Sequence, residues 1–241
     1  MTENRLGQQP LKSLLLTMCS QTTFSLILYS MYGLTDAFYV SRGVGGYASA
    51  AVGVFSPVTV LIGGITTTVG SGTGSVLSRK LGAKEKEKAA DAVGCMFFLW
   101  LICAGLVTLA GLGLFEPLVR LLGASGQILP YIRDYGRILL AGTIISTGFS
   151  GVMRANGDIS YSTLQWSLPV LLNMVLDPLF IYVFHMGISG AALATLASQA
   201  VSMLTSLYLY GRRHPAGFPC AISAFTELWQ GKSSLWACPP F

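Results

Sequence analysis

The sequence predicts an all-α membrane protein with six transmembrane helices. Of its 241 residues, 52% are hydrophobic and only 10% are charged, whereas a soluble domain carries roughly 25% charged residues. The apolar residues form six long stretches, and no long polar domain interrupts the series. About 20 apolar residues suffice for a helix to cross the ~30 Å hydrocarbon core of a bilayer. The composition therefore argues against a soluble domain.

The six predicted spans are separated by short polar segments. They are Leu14–Val40, Ala48–Val76, Ala90–Phe115, Tyr135–Met153, Tyr161–Phe184 and Ile188–Tyr210. We accordingly divide the chain into an N-terminal segment (1–13), a six-helix transmembrane lobe (14–210) and a C-terminal tail (211–241). The tail contains four prolines and is too polar to span a membrane. It looks like a truncated approach to a seventh helix.

The Lys and Arg residues predict the orientation of the chain. With the N-terminus in the cytoplasm, eleven of the fifteen basic residues fall inside, and only Arg42, Arg120, Arg133 and Arg137 fall outside. Cytoplasmic loops carry such an excess of positive charge. We expect a multi-pass protein of the cell membrane with a cytoplasmic N-terminus and tail. The basic run 79–88 is predicted to be a solvated loop rather than a nucleic-acid site.

Two acidic residues lie inside predicted spans, Asp36 and Asp177, whereas the other eight lie in loops or at span ends. A charged carboxylate at bilayer depth costs at least ~2.5–3.5 kcal/mol on insertion scales. Such a residue usually binds a cation, carries a proton or faces a cavity. Two of them on different spans suggest one shared site. The alternative is that each pairs with a polar neighbour and only holds two helices together.

The neighbours of Asp177 favour cation binding. Asn173 lies four residues earlier, so both side chains project from one helix face. Pro178 cannot donate the hydrogen bond that the Met174 carbonyl would otherwise accept, so a bend is expected there. A carboxylate, an amide oxygen and a free carbonyl suit a hard cation such as Na⁺. Thr195 could add a hydroxyl, although alone it is more typical of a packing residue.

Two segments rich in small residues are interpreted as packing surfaces. The stretch Gly63–Gly74 lies inside an apolar span and lacks the Gly-Lys-Ser/Thr ending of a phosphate-binding loop. We expect it to form a packing or hinge face. On the sixth span, small residues recur at spacings of three and four, which permits close helix approach. They are Gly187, Gly190, Ala191 and Ala194.

Several motifs resemble those of the multidrug and toxic compound extrusion (MATE) family, in order and at similar spacing. They are Tyr32–Asp36 followed by Tyr39–Ser41, Arg79–Ala83, Arg154–Asp158, Asn173–Pro178 and Gly190–Thr195. The similarity extends from Lys12 to Tyr210 and is closest to the DNA-damage-inducible branch of the family. It implies a twelve-helix transporter of two six-helix lobes around a central cavity. This chain corresponds to the N-terminal lobe.

The resemblance also implies an activity and a site. The expected activity is multidrug efflux, in which organic cations or amphiphilic compounds are exported in exchange for protons or sodium. We expect no enzymatic activity, no cofactor other than the coupling ion (H⁺ or Na⁺) and no nucleic-acid partner. The expected partners are membrane lipid, a cationic or amphiphilic small molecule, and a second lobe or a second copy of the chain. By resemblance, cation coupling and possible sodium binding are assigned to Asp36, Asn173, Asp177 and Thr195. The Ala191 carbonyl is expected to contribute to the same cation site. Tyr135 is expected to be a neighbouring polar group.

The chain departs from the family pattern in two ways, and three rival functions stay open. Where many members have a proline in the first helix, this chain has Ser20, Gln21 and Thr22. The resemblance also assigns these 241 residues to the N-terminal lobe, with no counterpart expected among them for the C-terminal lobe. The rivals are a lipid-linked saccharide flippase, expected to have a more cationic cavity, a non-functional truncated remnant, and an intramembrane aspartyl protease. Such a protease usually has a Gly-x-Gly pattern before its second Asp, which this chain lacks.

Overall fold

The structure is a computed structural model that describes residues 11–124, 126–145, 149–157 and 159–213. All regular secondary structure in this part is helical. The α-helices are α1 (Leu11–Gly43), α2 (Gly46–Gly82), α3 (Lys86–Gly113), α4 (Phe115–Leu121), α5 (Leu129–Ala141), α6 (Phe149–Ala155), α7 (Ile159–Pro178) and α8 (Gly187–Arg213). Two 3₁₀ turns, Gly126–Ile128 and Gly142–Ile145, and a π-helical turn, Leu179–Val183, complete the order.

Five segments of the described part are long and apolar enough to cross a membrane. They are Gly46–Gly82, Asp91–Gly113, Gly126–Ala155, Tyr161–Val183 and Gly187–Leu209. The remaining predicted span, Leu14–Val40, lies within α1, a helix of 33 residues that is about 50 Å long. Because Ser20–Thr22 contain no proline, nothing in the backbone chemistry interrupts α1 there. The chain is a multi-pass, all-helical membrane protein.

The fourth predicted span, Tyr135–Met153, lies within the candidate span Gly126–Ala155, although the described part of this span is not α-helical throughout. Helix α5 ends at Ala141, the 3₁₀ turn Gly142–Ile145 follows, and α6 covers Phe149–Ala155. The change from α-helix to 3₁₀ turn lies where Leu196 of α8 packs against Gly142 so closely that a Cβ atom there would clash with it. The Leu140 carbonyl near this helix end accepts a hydrogen bond from the Thr108 hydroxyl at 3.0 Å. Contacts with two other helices thus accompany the change from α-helix to 3₁₀ turn.

Smaller differences concern the boundaries between segments. The prediction of a loop over 79–88 was wrong for most of the run, because α2 continues to Gly82 and α3 begins at Lys86. The segment between the third and fourth predicted spans contains most of α4 and the start of α5. The predicted tail begins inside α8, because that helix continues to Arg213. The rest of the tail, and residues 1–10, lie outside the described residues.

Helices α2 and α6 cross at glycines, as expected for a packing face in Gly63–Gly74. A Cβ atom on Gly74 would lie 2.9 Å from the Gly151 carbonyl oxygen, and one on Gly151 would clash with the Gly70 carbonyl. Gly63 and Gly64, at the other end of the stretch, face open space. Small residues allow this backbone-to-backbone approach of membrane helices.

Prolines inside two helices leave carbonyl groups that serine hydroxyls satisfy. Pro57 cannot donate to the Gly53 carbonyl, which accepts from Ser56 Oγ at 2.8 Å. Pro169 likewise leaves the Gln165 carbonyl without its helical N–H donor, and this carbonyl accepts a hydrogen bond from Ser202 Oγ on α8 at 2.9 Å. This second bond fixes the height of α8 beside α7.

Helices α1, α7 and α8 form a three-helix unit whose directions follow from its contacts. Helix α1 and the segment formed by α7 and the π-helical turn are parallel, because residues further along α1 contact residues further along that segment. Asp36 interacts with Asp177, whereas Tyr39 and Gly43 contact residues of the π-helical turn, Tyr182 and Ile181. Helix α8 is antiparallel to them, because its contacts occur in reverse order: Gln165 with Ser202, Asn173 with Thr195 and Phe180 with Gly190.

An ion pair connects α4 to α5 outside the apolar part of the bundle. Arg133 donates to both carboxylate oxygens of Glu116, at 2.7 and 2.9 Å. These hydrogen bonds, and the positive charges of Arg133, Arg120 and Arg137, hold the pKa of Glu116 below its usual value. Glu116 lies between two candidate spans.

The ion pair predicts a small, pH-dependent contribution to stability. Because the pKa of Glu116 is lower in the folded state, its contribution is present at neutral pH and is lost as the pH falls below about 4. We expect Glu116→Gln to lower the unfolding temperature slightly at pH 7 and to have no effect at about pH 3. Thermal unfolding of the two proteins at both pH values measures this. An equal deficit at both pH values would contradict it.

Candidate cation site

The two intramembrane acids lie side by side in the interior of the three-helix unit. Asp36 on α1 is 5% exposed, and Asp177 near the end of α7 is fully buried. Their carboxyl groups are close enough to interact. The parallel packing of α1 on α7 produces this arrangement, since it brings the last third of α1 to the end of α7. Two carboxylates therefore converge at one buried point.

An amide and two hydroxyls surround the acids. Asn173, which is 2% exposed, lies one turn before Asp177 and contacts it. Its Nδ2 donates to Thr195 Oγ1 on α8 at 3.3 Å. The Tyr32 hydroxyl on α1 lies 3.4 Å from the same Thr195 oxygen. All three helices therefore contribute to one polar cluster, which consists of Asp36, Asn173, Asp177, Thr195 and Tyr32.

Tyr32 was not among the predicted site residues. A signal was present, because Tyr32 precedes Asp36 by four residues and therefore projects from the same face of α1. Tyrosine is common in membrane helices, however, so the residue type alone does not indicate a site. The Tyr32 hydroxyl is near the site only because α8 packs with Thr195 beside it.

Several oxygen atoms of the cluster lack a hydrogen-bond donor within the described part of the chain. They are Oδ1 of Asp36, Oδ1 of Asn173 and both carboxylate oxygens of Asp177. Buried polar atoms in proteins are normally hydrogen-bonded, because leaving one unpaired costs about 1–3 kcal/mol. Converging oxygens of this kind can be satisfied by a proton shared between the carboxyls or by a bound hard cation. This set of oxygen atoms suits Na⁺ as a ligand set and also suits a proton.

The backbone beside Asp177 changes its hydrogen-bonding pattern. Pro178 has no N–H to donate to the Met174 carbonyl, and the chain continues as the π-helical turn Leu179–Val183. In that turn the Phe184 N–H donates to the Leu179 carbonyl at 3.1 Å. Turns of this type are frequent at functional sites. The Met174 carbonyl, beside the acidic pair in sequence, therefore lacks the donor that an uninterrupted helix would supply.

The structure places Ala191 and Tyr135 mainly among apolar neighbours. Ala191 is fully buried on α8, one turn before Thr195. The Tyr135 ring packs edge-to-face on Phe55, with 6.0 Å between ring centroids, in an apolar cluster that also contains Val40. The predicted roles of the Ala191 carbonyl and of Tyr135 in the polar network stay predictions.

Replacing Thr195 with valine is expected to weaken cation binding about ten-fold. Valine has nearly the same shape but removes the oxygen that positions Asn173 and contacts Tyr32. The stabilisation of the purified protein by added Na⁺, or by acid, measures the effect. Thr143→Val is the matched control, because this buried hydroxyl donates to the Leu139 carbonyl of its own helix end. Equal responses to cation in both variants would contradict a role for Thr195.

The chain matches one family of known proteins. The family model described as MatE covers residues 22–179. A FAD transporter of Shewanella oneidensis is 30% identical over 85% of this chain and 47% of its own length. The probable multidrug resistance protein YpnP of Bacillus subtilis is 29% identical over 76% of this chain and 44% of its own. Multidrug export protein MepA of Staphylococcus aureus is 25% identical over 74% of this chain and 40% of its own.

Solved structures agree with these relatives. A MATE protein in the straight conformation superimposes with a TM-score of 0.75 and 34% identity, over 82% of this chain and 45% of that chain. A transporter of the MOP superfamily from Pyrococcus furiosus gives a TM-score of 0.74 and 32% identity, over 85% and 50%. The chain thus spans about half the length of the relatives that it matches.

Proposed function

This chain belongs to the MatE family, and we propose that it acts as the N-terminal, six-helix lobe of a twelve-helix efflux antiporter. In this proposal the complete transporter exports organic cations or amphiphilic compounds in exchange for protons or sodium. It has no enzymatic activity and no cofactor besides the coupling ion. The buried pair Asp36 and Asp177 carries the proposal, because three of its carboxylate oxygens and the neighbouring Asn173 Oδ1 have no hydrogen-bond partner within the described residues.

The proposed mechanism follows from the charge of the pair. With both carboxyls ionised, the cluster is negative in a medium of low polarity and attracts a cation strongly. Binding of H⁺ or Na⁺ neutralises part of this charge. Because the acids lie on α1 and α7, their charge state changes the free energy of packing these helices together. The cation drives a conformational change only if it binds the two conformations with different affinity. Substrate release outward is coupled to that difference.

The proposed setting is the cell membrane, with the N-terminus in the cytoplasm. Large apolar side chains on α1, such as Leu16, Leu34 and Phe38, are exposed. In a membrane this surface can contact lipid, or it can contact a second lobe. We propose that a second six-helix lobe, or a second copy of this chain, completes the central cavity. The positive charge of the basic run 79–88, where α2 is followed by α3, supports the cytoplasmic assignment.

One relative favours a second candidate for the exported compound. The relative with 30% identity is named a FAD transporter, and FAD is a dinucleotide with a negatively charged pyrophosphate. The polar cluster around Asp36 and Asp177 would then couple the ion, while other residues of the complete cavity would bind the dinucleotide. Ion coupling and substrate choice are therefore separate parts of the proposal.

The test is export from bacteria that lack their own efflux pumps. The full chain is expressed alone and together with the C-terminal lobe of a full-length relative, and membrane insertion is checked by immunoblot. Export of ethidium, and of FAD, is then followed after a pH or sodium gradient is imposed. We expect gradient-dependent export of one compound when the cavity is complete. If an inserted, folded chain gives no ion-dependent export of any tested compound in either arrangement, the proposal fails.

A further inference from the structure

Two further buried oxygens without a hydrogen-bond donor lie on the helices that carry the acidic pair. Within the described residues, six side-chain atoms are buried without a hydrogen-bond partner. Four of them belong to Asp36, Asn173 and Asp177, and the other two are the Oε1 atoms of Gln21 and Gln165. Gln21 is on α1 and Gln165 is on α7. Within the described residues, every buried side-chain atom without a hydrogen-bond partner therefore lies on α1 or α7.

The two glutamines lie at one level along the pair. Gln21 is fifteen residues before Asp36 and Gln165 is twelve residues before Asp177. At 1.5 Å per residue, these separations are about 22 and 18 Å. Since α1 and α7 are parallel and Asp36 faces Asp177, the two glutamines differ in height by only about one helical turn. Their level is displaced from the acids toward the end of the bundle where α1 begins.

Helix α8 contributes to the same level. Ser202 is 7% exposed, and its Oγ donates to the backbone carbonyl of Gln165, which Pro169 leaves without a helical donor. On α1, Ser25 Oγ donates to the Gln21 carbonyl at 2.9 Å. The three helices that form the acidic cluster thus also form a second, uncharged polar level.

The chemistry of this level indicates its ligand. Unpaired amide oxygens are costly inside a membrane, because no lipid group can donate to them. Amide and hydroxyl oxygens are ligands for hard cations, but they do not take up a proton at physiological pH. A neutral donor set also releases its ion readily, as sites along an ion path must.

We propose that Gln21 and Gln165, with the Ser202 hydroxyl, form a second, weaker site for Na⁺ about 20 Å from the acidic pair. The site lies between the acidic pair and the end of the bundle where α1 begins. It rests on the proposed cation coupling, since it gives the coupling ion a binding site on its way to or from Asp36 and Asp177. The acidic pair is the tighter of the two sites because it is charged.

The test measures Na⁺ binding by the purified full chain with calorimetry or ²³Na magnetic resonance. The variant Asp36→Asn/Asp177→Asn removes the tighter site, and we expect a weak binding phase to remain. Adding Gln21→Leu or Gln165→Leu should weaken this phase at least ten-fold. Gln127→Leu, at an exposed residue in the turn Gly126–Ile128, is the matched control and should leave it unchanged.

A gain-of-binding variant protects the test against folding defects. Gln165→Glu adds a charge at nearly constant shape, and it should strengthen the weak phase about ten-fold at neutral pH. The inference is overturned if the double Asp variant binds no Na⁺, or if the leucine variants bind Na⁺ as the control does. It is also overturned if the wild type binds no Na⁺. In that last case proton-driven export would still support the proposed function, so the two failures are distinguishable.

Discussion

Replacing Asp177 with asparagine is expected to abolish the response of the protein to its coupling ion while leaving the fold intact. Asparagine keeps the shape of the side chain but removes one of the two converging charges. A carboxylate at bilayer depth costs at least ~2.5–3.5 kcal/mol, so without cation the variant should be as stable as the wild type or more stable. Stability and ion response therefore change in opposite directions.

Two measurements check this prediction. Thermal unfolding of purified protein, with and without Na⁺ and across pH, should show that the cation-dependent stabilisation is lost. Cation affinity should fall by up to about 100-fold, and gradient-driven export by the complemented chain should stop. Asp134→Asn, at an exposed carboxylate on α5, is the control and should behave as the wild type. Full coupled export by a folded Asp177→Asn protein would contradict the mechanism.

Gly151→Ala is expected to destabilise the protein strongly, although it adds only one methyl group. The added Cβ atom would clash with the backbone carbonyl of Gly70, which can move only if the whole of α2 moves. Overpacking of this kind costs about 1–3 kcal/mol or more. Gly74→Ala should act in the same direction but less strongly, since its Cβ atom would lie 2.9 Å from the Gly151 carbonyl.

The control for this prediction lies in the same glycine-rich stretch. A Cβ atom on Gly63 meets no atom within 4 Å, and alanine is favoured over glycine in a helix by up to about 1 kcal/mol. Gly63→Ala should therefore leave stability unchanged or raise it. Denaturation of the purified proteins in mixed micelles compares them. Equal destabilisation by Gly63→Ala and Gly151→Ala would show that the close crossing of α2 and α6 is not what requires glycine.

Hydropathy alone predicted the membrane class and the order of the spans. It could not predict the 3₁₀ turn Gly142–Ile145 inside the fourth span, because residues 135–153 contain no proline. The close contact of Gly142 with Leu196 that accompanies this turn joins residues far apart in the sequence. A contact of this kind depends on tertiary packing, which composition does not encode.

The candidate site was partly predictable for a physical reason. Asp36 and Asp177 stand out in the sequence because charge is costly in lipid, and Asn173 follows from helical spacing. Tyr32 does not stand out, since its hydroxyl is near Thr195 only through the height at which α8 packs. Tyr135 stands out as a polar residue near a span end, yet its ring lies against Phe55. Spacing identifies residues on one helix face but not their partners on other helices.

Carbodiimide modification of Asp177, followed by mass spectrometry, tests the central claim most directly, because this reagent reacts with protonated carboxyls. The rate is measured across Na⁺ concentration and pH in the wild type and in Asp36→Asn. If both acids hold one mobile cation, added Na⁺ slows the modification in the wild type. In Asp36→Asn, the Na⁺ concentration that slows the modification by half should rise about ten-fold or more. The same dependence on Na⁺ and pH in both proteins would contradict a shared cation site.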